Sequence, residues 1–195
     1  MASGPDIDRL VLPARTPGGR SLVRDQRGAT IIEFAAVAAP FIALIIAALQ
    51  TAVVFFTQQA LETSAEQTAR QLIVGSAQNS GMNQTSFRNT ACANLPAFMD
   101  CNKLMIDVQN TTSFSAVNTV MPTLTYKPDG TVSNAWTFSP GGPGSIVIMR
   151  MMYQMPIVAG PLGFNLANMN GNRRLLVATS VFKAEPYDGG SGLGS

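Results

Sequence analysis

Two pairs of residues in this chain are spaced so that chemistry can follow from their side chains. The first is Gly28 and Glu33. Gly28 follows a basic residue and precedes a small one, Ala29, and Glu33, five residues after Gly28, is the only ionisable residue in the apolar stretch that follows. From Phe34 to Leu49 there is no polar side chain, and after Gln50 and Thr51 the apolar run resumes through Phe56. A carboxylate in the middle of a membrane helix costs about 2.5–3.5 kcal/mol on insertion scales, less near the interface, so a lone glutamate at the edge of such a run usually has a task. The second pair is Cys92 and Cys101. Their spacing is too wide for a C-x-x-C redox motif, and two cysteines are too few for a cysteine-only metal site. In an oxidising compartment they close a small loop as a disulfide; otherwise they are two buried thiols.

Other chemistry is quickly set aside. The chain has no histidine, which removes the usual zinc hydrolases and the Ser-His and Cys-His triads. Ser180 and Lys183 match S-x-x-K, but that motif needs its serine at a helix start and companion motifs that are missing here. The glycines of 189–194 follow no strand-to-helix turn and read as a tail, not a phosphate loop. The methionines of 149–155 read as core packing, not thioether metal ligands. No enzyme, cofactor or metal is expected. Net charge is +2 and charged residues make up 12% of the 195, about half the usual 25%. That balance argues against nucleic acid as a partner and fits a membrane protein or polymer subunit.

The elements that carry these residues follow in order. Residues 1–28 are rich in Gly, Pro and Arg and are expected to be disordered. The net basic flank is expected to stay in the cytoplasm, with the residues after Phe56 across the membrane. The apolar run exceeds the roughly 20 residues needed to span a bilayer and the roughly 7–15 of a signal-peptide core. It flows into a polar continuation in which Leu61, Ala65, Thr68 and Leu72 recur at spacings of three and four. One helix over 29–75 is predicted, ended by Gly75. Pro40 would free the carbonyl of Ala36 and bend it. Ala35, Ala39, Ala43 and Ala47 form a small-residue stripe, which either admits a neighbouring helix or reflects the frequency of alanine in membrane helices.

The head, over 76–188, begins with a polar linker at 76–84. A short helix follows, capped by Thr85 or Ser86, with Phe87, Ala91 and Leu95 on one face. Residues 103–109 alternate, predicting a half-buried strand with Leu104, Ile106 and Val108 inward. Pro128-Asp129-Gly130 marks a hairpin turn through Leu124, Tyr126 and Val132. The strongest strand is 145–156, with Val147, Met149, Met151, Tyr153 and Met155 on one face. After a loop over 157–174, a last strand over 175–182 leads to a flexible Gly/Ser tail at 189–195. The fold class is α+β, with one long helix on an antiparallel sheet of three or more strands.

The segment R-G-A-T-I-I-E-F-A-A-V-A-A-P, from Arg27 to Pro40, resembles the N-terminal segment of the TadE-like pseudopilins, minor pilins of the tight-adherence (Tad, or Flp) type IV pilus. The resemblance is specific over 27–75. It reaches further only through the cysteine pair, the strand ending in Tyr153 and the late V-F-K-A-E-P-Y segment. It implies cutting by a prepilin peptidase between Gly28 and Ala29, removing a cytoplasmic leader of residues 1–28. It implies a pilin-like fold, with a long helix, transmembrane in its first half, on a small periplasmic head. Glu33 and Phe34 would then act in subunit assembly, Glu33 answering the new amine of Ala29 in its own chain or a neighbour's. Implied partners are the membrane, the prepilin peptidase, the major Flp pilin, a sister pseudopilin and the inner-membrane platform proteins. The size of the head resembles a minor component, since major Flp pilins are far shorter. The alternative is a single-pass inner-membrane protein, never cleaved, with a periplasmic binding head.

Overall fold

The structure, a computed structural model, describes residues 29–118, 120–128 and 131–186. The leader at 1–28, the tail at 189–195, Tyr187, and Asp129 and Gly130 of the expected turn lie outside the described residues. Two compact units divide the chain, Met1–Ile42 and Ala43–Ser195.

In the first unit every described residue belongs to helix α1, Ala29–Ile73, which runs on into the second. Pro40 lies inside this helix. Ile31, Ile32, Phe34, Val37, Phe41 and Ile42 are all exposed.

In the second unit α1 changes character. Val54, Leu61, Ala65, Ala69 and Leu72 are buried, and so are the polar Thr57, Ser64 and Thr68. Spacings of three, four and seven place them along one stripe. The buried hydroxyls are satisfied within the helix, Thr57 donating to the carbonyl of Val53 and Thr68 to that of Ser64, each at 2.8 Å. The stripe packs on one three-stranded antiparallel sheet, ordered β1 (Leu104–Thr111), β2 (Ile146–Pro156), β3 (Arg173–Lys183).

The central strand explains the core. Val147, Met149, Met151, Tyr153 and Met155 join the α1 stripe in the hydrophobic cluster, as their alternation predicts. The opposite face of β2 is buried too, so its first ten residues are all inaccessible. A strand covered on both faces reads as a near-continuous apolar run. The same covering corrects the half-buried expectation for β1. Met105 and Asp107, expected outward, are buried along with Leu104, Ile106 and Val108. The free edge of β1 is also engaged: Val108 N donates to Thr137 O and Ser139 N to Val108 O, both at 2.8 Å.

Local differences have local causes. Residues 76–84 are not a plain linker, since Gly75 adopts a left-handed conformation (φ 74°) and starts a one-turn helix, α2 (Ser76–Asn79). The next helix, α3 (Gln84–Ala93), starts earlier than expected because Asn83 is its cap. Asn83 Oδ1 accepts from Ser86 N at 2.8 Å while Ser86 Oγ accepts from Asn83 N at 2.9 Å, so Ser86 completes the capping box from inside the helix. Phe87 and Ala91 are buried as predicted, but Leu95 falls beyond the end of α3. The hairpin exists as a single antiparallel bridge between Tyr126 and Val132, not as a strand pair. β3 is longer than its prediction at the start, from Arg173, and ends one residue later at Lys183.

Candidate functional site

The candidate site is the N-terminal part of α1, built from the residues that carry the chemistry. The described helix opens at Ala29, and Glu33 stands four residues on, so the two positions share a face one turn apart. Glu33 and Phe34 are both exposed, Phe34 at 73%. Around them Ile31 and Ile32 are more than 70% exposed. A charged side chain therefore stands within an apolar, uncovered surface, where an opposite charge has little competition from water once that surface is covered. Gly28, the expected cleavage position, lies outside the described residues.

The apolar surface continues in the second unit. Leu44, Leu49, Val53, Phe55 and Phe56 are between 54% and 69% exposed. A surface of this extent does not persist against water. Thr30–Ile73 is the one described helix long and apolar enough to cross a membrane, and its most apolar window is only 6% buried. It is a candidate membrane span near the N-terminus.

The head holds the helix through polar contacts spaced along it. Gln50 Nε2 donates to Val158 O at 3.2 Å, and Gln58 Nε2 to Val177 O at 3.0 Å. Near α3, Ser64 Oγ donates to Asn94 O at 2.9 Å, and Asn94 Nδ2 donates to Thr68 Oγ1 at 3.1 Å. Glu185 N donates to Ile73 O at 2.8 Å, joining the end of the described head to the end of α1. Cys92 and Cys101 form a disulfide with their Cα atoms 5.5 Å apart, tying α3 to the turn that opens β1. Ser180 and Lys183 both lie in strand β3, where an S-x-x-K nucleophile cannot be set up.

One buried group escaped the sequence reading. Asp107 and Arg150 are register partners on β1 and β2, with side chains about 95% buried and Nη1 2.9 Å from Oδ2. The signal was present, since an arginine interrupts the otherwise apolar run of β2 and needs an acidic partner if buried.

The chain thus combines a long apolar N-terminal helix, a candidate membrane span, with a small three-stranded antiparallel sheet in an α+β fold. Residues 28–70 match the model of the family described as TadE-like protein, so over this stretch the chain is similar to that family. That family is in general non-enzymatic. The match spans Gly28 and nearly all of α1 and stops short of the head. No curated protein and no solved structure matches the chain.

Proposed function

We propose that the protein is a minor pilin, or pseudopilin, for assembly of a Tad/Flp type IV pilus used in surface adhesion, matured by a prepilin peptidase that cuts between Gly28 and Ala29. The observation that carries this reading is the coincidence of the family match, which begins at Gly28, with an exposed apolar first part of α1 whose one carboxylate, Glu33, stands at the fifth position of the helix. Removal of residues 1–28 creates an amine on Ala29 at the positive end of the helix dipole, where a carboxylate is favoured and an amine is not. Glu33 answers that amine, within its own chain or across to a neighbour, so cleavage both frees the helix and makes Glu33's partner. Pro40 supplies a local fault in the hydrogen-bond ladder that lets the helix bend as it packs.

In this reading the N-terminus is cytoplasmic and the head, 76–188, periplasmic, with incorporation into the extracellular pilus. The partners are the prepilin peptidase, the major Flp pilin, a sister pseudopilin and the inner-membrane platform proteins. The disulfide agrees with an oxidising compartment for the head.

The test is the N-terminal residue and intact mass of the protein taken from native membranes or sheared fibres. A start at Ala29 is expected. A start at Met1 or Ala2 would favour an uncleaved anchor with a periplasmic binding head, and a start beyond about Thr51 would mean a cleaved signal peptide and a secreted head.

A further inference from the structure

The connection between β2 and β3 has features that the packing of the head does not require. Val158 is 79% exposed and Leu162 87%, the two most exposed large apolar side chains in the second unit. Leu162 also holds a left-handed backbone conformation, φ 57° and ψ 25°. Among the described residues only Asn172 shares positive φ without being glycine. Asparagine adopts that region readily, whereas leucine does so against its own side chain. A leucine that is both strained and presented to solvent is gaining nothing from the fold.

The position of this loop along α1 is fixed. Gln50 Nε2 donates to Val158 O at 3.2 Å. A Cβ on Gly160 would stand 2.7 Å from Gln50 Oε1, so the loop backbone lies against that side chain. Gln50 precedes Phe56, the last residue of the apolar run, by six residues, or about 9 Å along the helix. The tip of the loop therefore runs beside helix that is still apolar and exposed, at Leu49, Val53 and Phe55. Between helix and loop lies an apolar cleft of about 260 Å³, lined by residues that include Ile46, Val53, Met155 and Ile157.

Charge follows the same division. No charged side chain occurs over 151–172. The next two residues are Arg173 and Arg174, half-buried and without an ion pair among the described residues. Their guanidinium groups bond to Gln154 Oε1 (Arg173) and Leu166 O (Arg174), both at 2.9 Å. An apolar tip beside an apolar helix, with arginines at the root of the loop, is the arrangement that settles where acyl chains meet headgroups.

We propose that the 157–166 loop inserts into the lipid interface beside α1, making a second membrane contact that sets the depth of the head. The occupant of this surface is phospholipid, with Val158 and Leu162 among the upper acyl carbons, about 5–10 Å below the headgroup boundary, and Arg173 and Arg174 at the phosphates. The inference rests on α1 spanning the membrane, as in the proposed function.

The experiment uses the full chain in vesicles of phosphatidylcholine and phosphatidylglycerol, with bromine-labelled phosphatidylcholine as the quencher. In a Trp136→Phe background, single tryptophans are placed by Leu162→Trp on the loop, Leu44→Trp on the helix and Val120→Trp on an exposed part of the head. The inference expects Leu162→Trp and Leu44→Trp to be quenched several-fold more than Val120→Trp. Val158→Trp gives the same readout if tryptophan at the strained position prevents folding. Quenching of Leu44→Trp without either loop reporter overturns the inference and leaves the span intact, also when the loop emission changes with protein concentration because a second copy covers it. An unquenched Leu44→Trp overturns the span, and the loop contact with it. Equal quenching of Val120→Trp means general adsorption of the head and overturns the inference as well.

Discussion

Asp107 and Arg150 face each other across β1 and β2 and pair at 2.9 Å inside the sheet. The pair is also the centre of a network. Asp107 Oδ1 accepts from Thr137 N at 3.0 Å, Oδ2 accepts from Gln109 Nε2 at 2.9 Å, and Arg150 Nη2 donates to the carbonyl of Asn118. Removing one partner strands a buried charge. Asp107→Ala or Arg150→Met alone is expected to cost about 3–5 kcal/mol. The double variant Asp107→Leu with Arg150→Met is expected to fall between wild type and the singles, because the stranded charge is gone but Thr137 N and Asn118 O still lose their partners. Urea unfolding of the four proteins checks this; additive losses would show that the pair is not coupled.

The disulfide closes a short loop, with a sequence separation of 9. By chain entropy the bond stabilises by about 2–3 kcal/mol. Replacing both cysteines by serine is expected to lower the unfolding free energy by that amount, with the urea midpoint falling accordingly. An unchanged midpoint would show that closing this loop adds nothing to the stability of the head.

Two leucines on α1 separate its two surfaces. Leu61 has no exposed surface, whereas Leu49 is 61% exposed. Leu61→Ala is expected to cost the head about 2–5 kcal/mol. Leu49→Ala should change it by no more than about 0.5 kcal/mol. Thermal unfolding in detergent measures both, and equal losses would contradict the division of the helix.

Processing and assembly should separate at the N-terminus. Gly28→Val is expected to block cleavage, so that the intact mass keeps residues 1–28. Glu33→Ala should leave cleavage largely unchanged and lower the amount recovered in sheared fibres, because the amine of Ala29 then lacks its carboxylate. Mass spectrometry reads the first and quantitative immunoblotting the second. Normal cleavage of Gly28→Val would overturn the assignment of that site.

The helix and the central strand were legible because each repeats its signal many times. Leu61, Ala65, Thr68 and Leu72 mark one face of α1, and Val147 to Met155 mark one face of β2 at a period of two. The second buried face was hidden. Met105, Asp107 and Gln109 alternate with the inward residues as a solvent face would, and nothing in their spacing shows that Asn118 and Thr137 bond to the Asp107–Arg150 pair there. Asn83 was missed as a cap because three consecutive polar residues follow it, and the choice among them is made by the reciprocal bond with Ser86. The segment over 157–174 reads only as a loop, since neither the left-handed conformation of Leu162 nor the bond from Gln50 to Val158 leaves a mark in the spacing.

The bond from Gln58 to Val177 joins residues 119 apart in sequence. On a ribosome adding about 5–20 residues per second, Gln58 is made roughly 6–24 s before its partner in β3. Its last turn waits in the same way, until Glu185 reaches Ile73. During that interval Leu61, Leu72 and their neighbours are a sticky, half-finished surface, in the same chain as a helix that already seeks lipid. The head thus cannot be completed behind the helix as it emerges. Part of the stripe stays uncovered until β3 has been made.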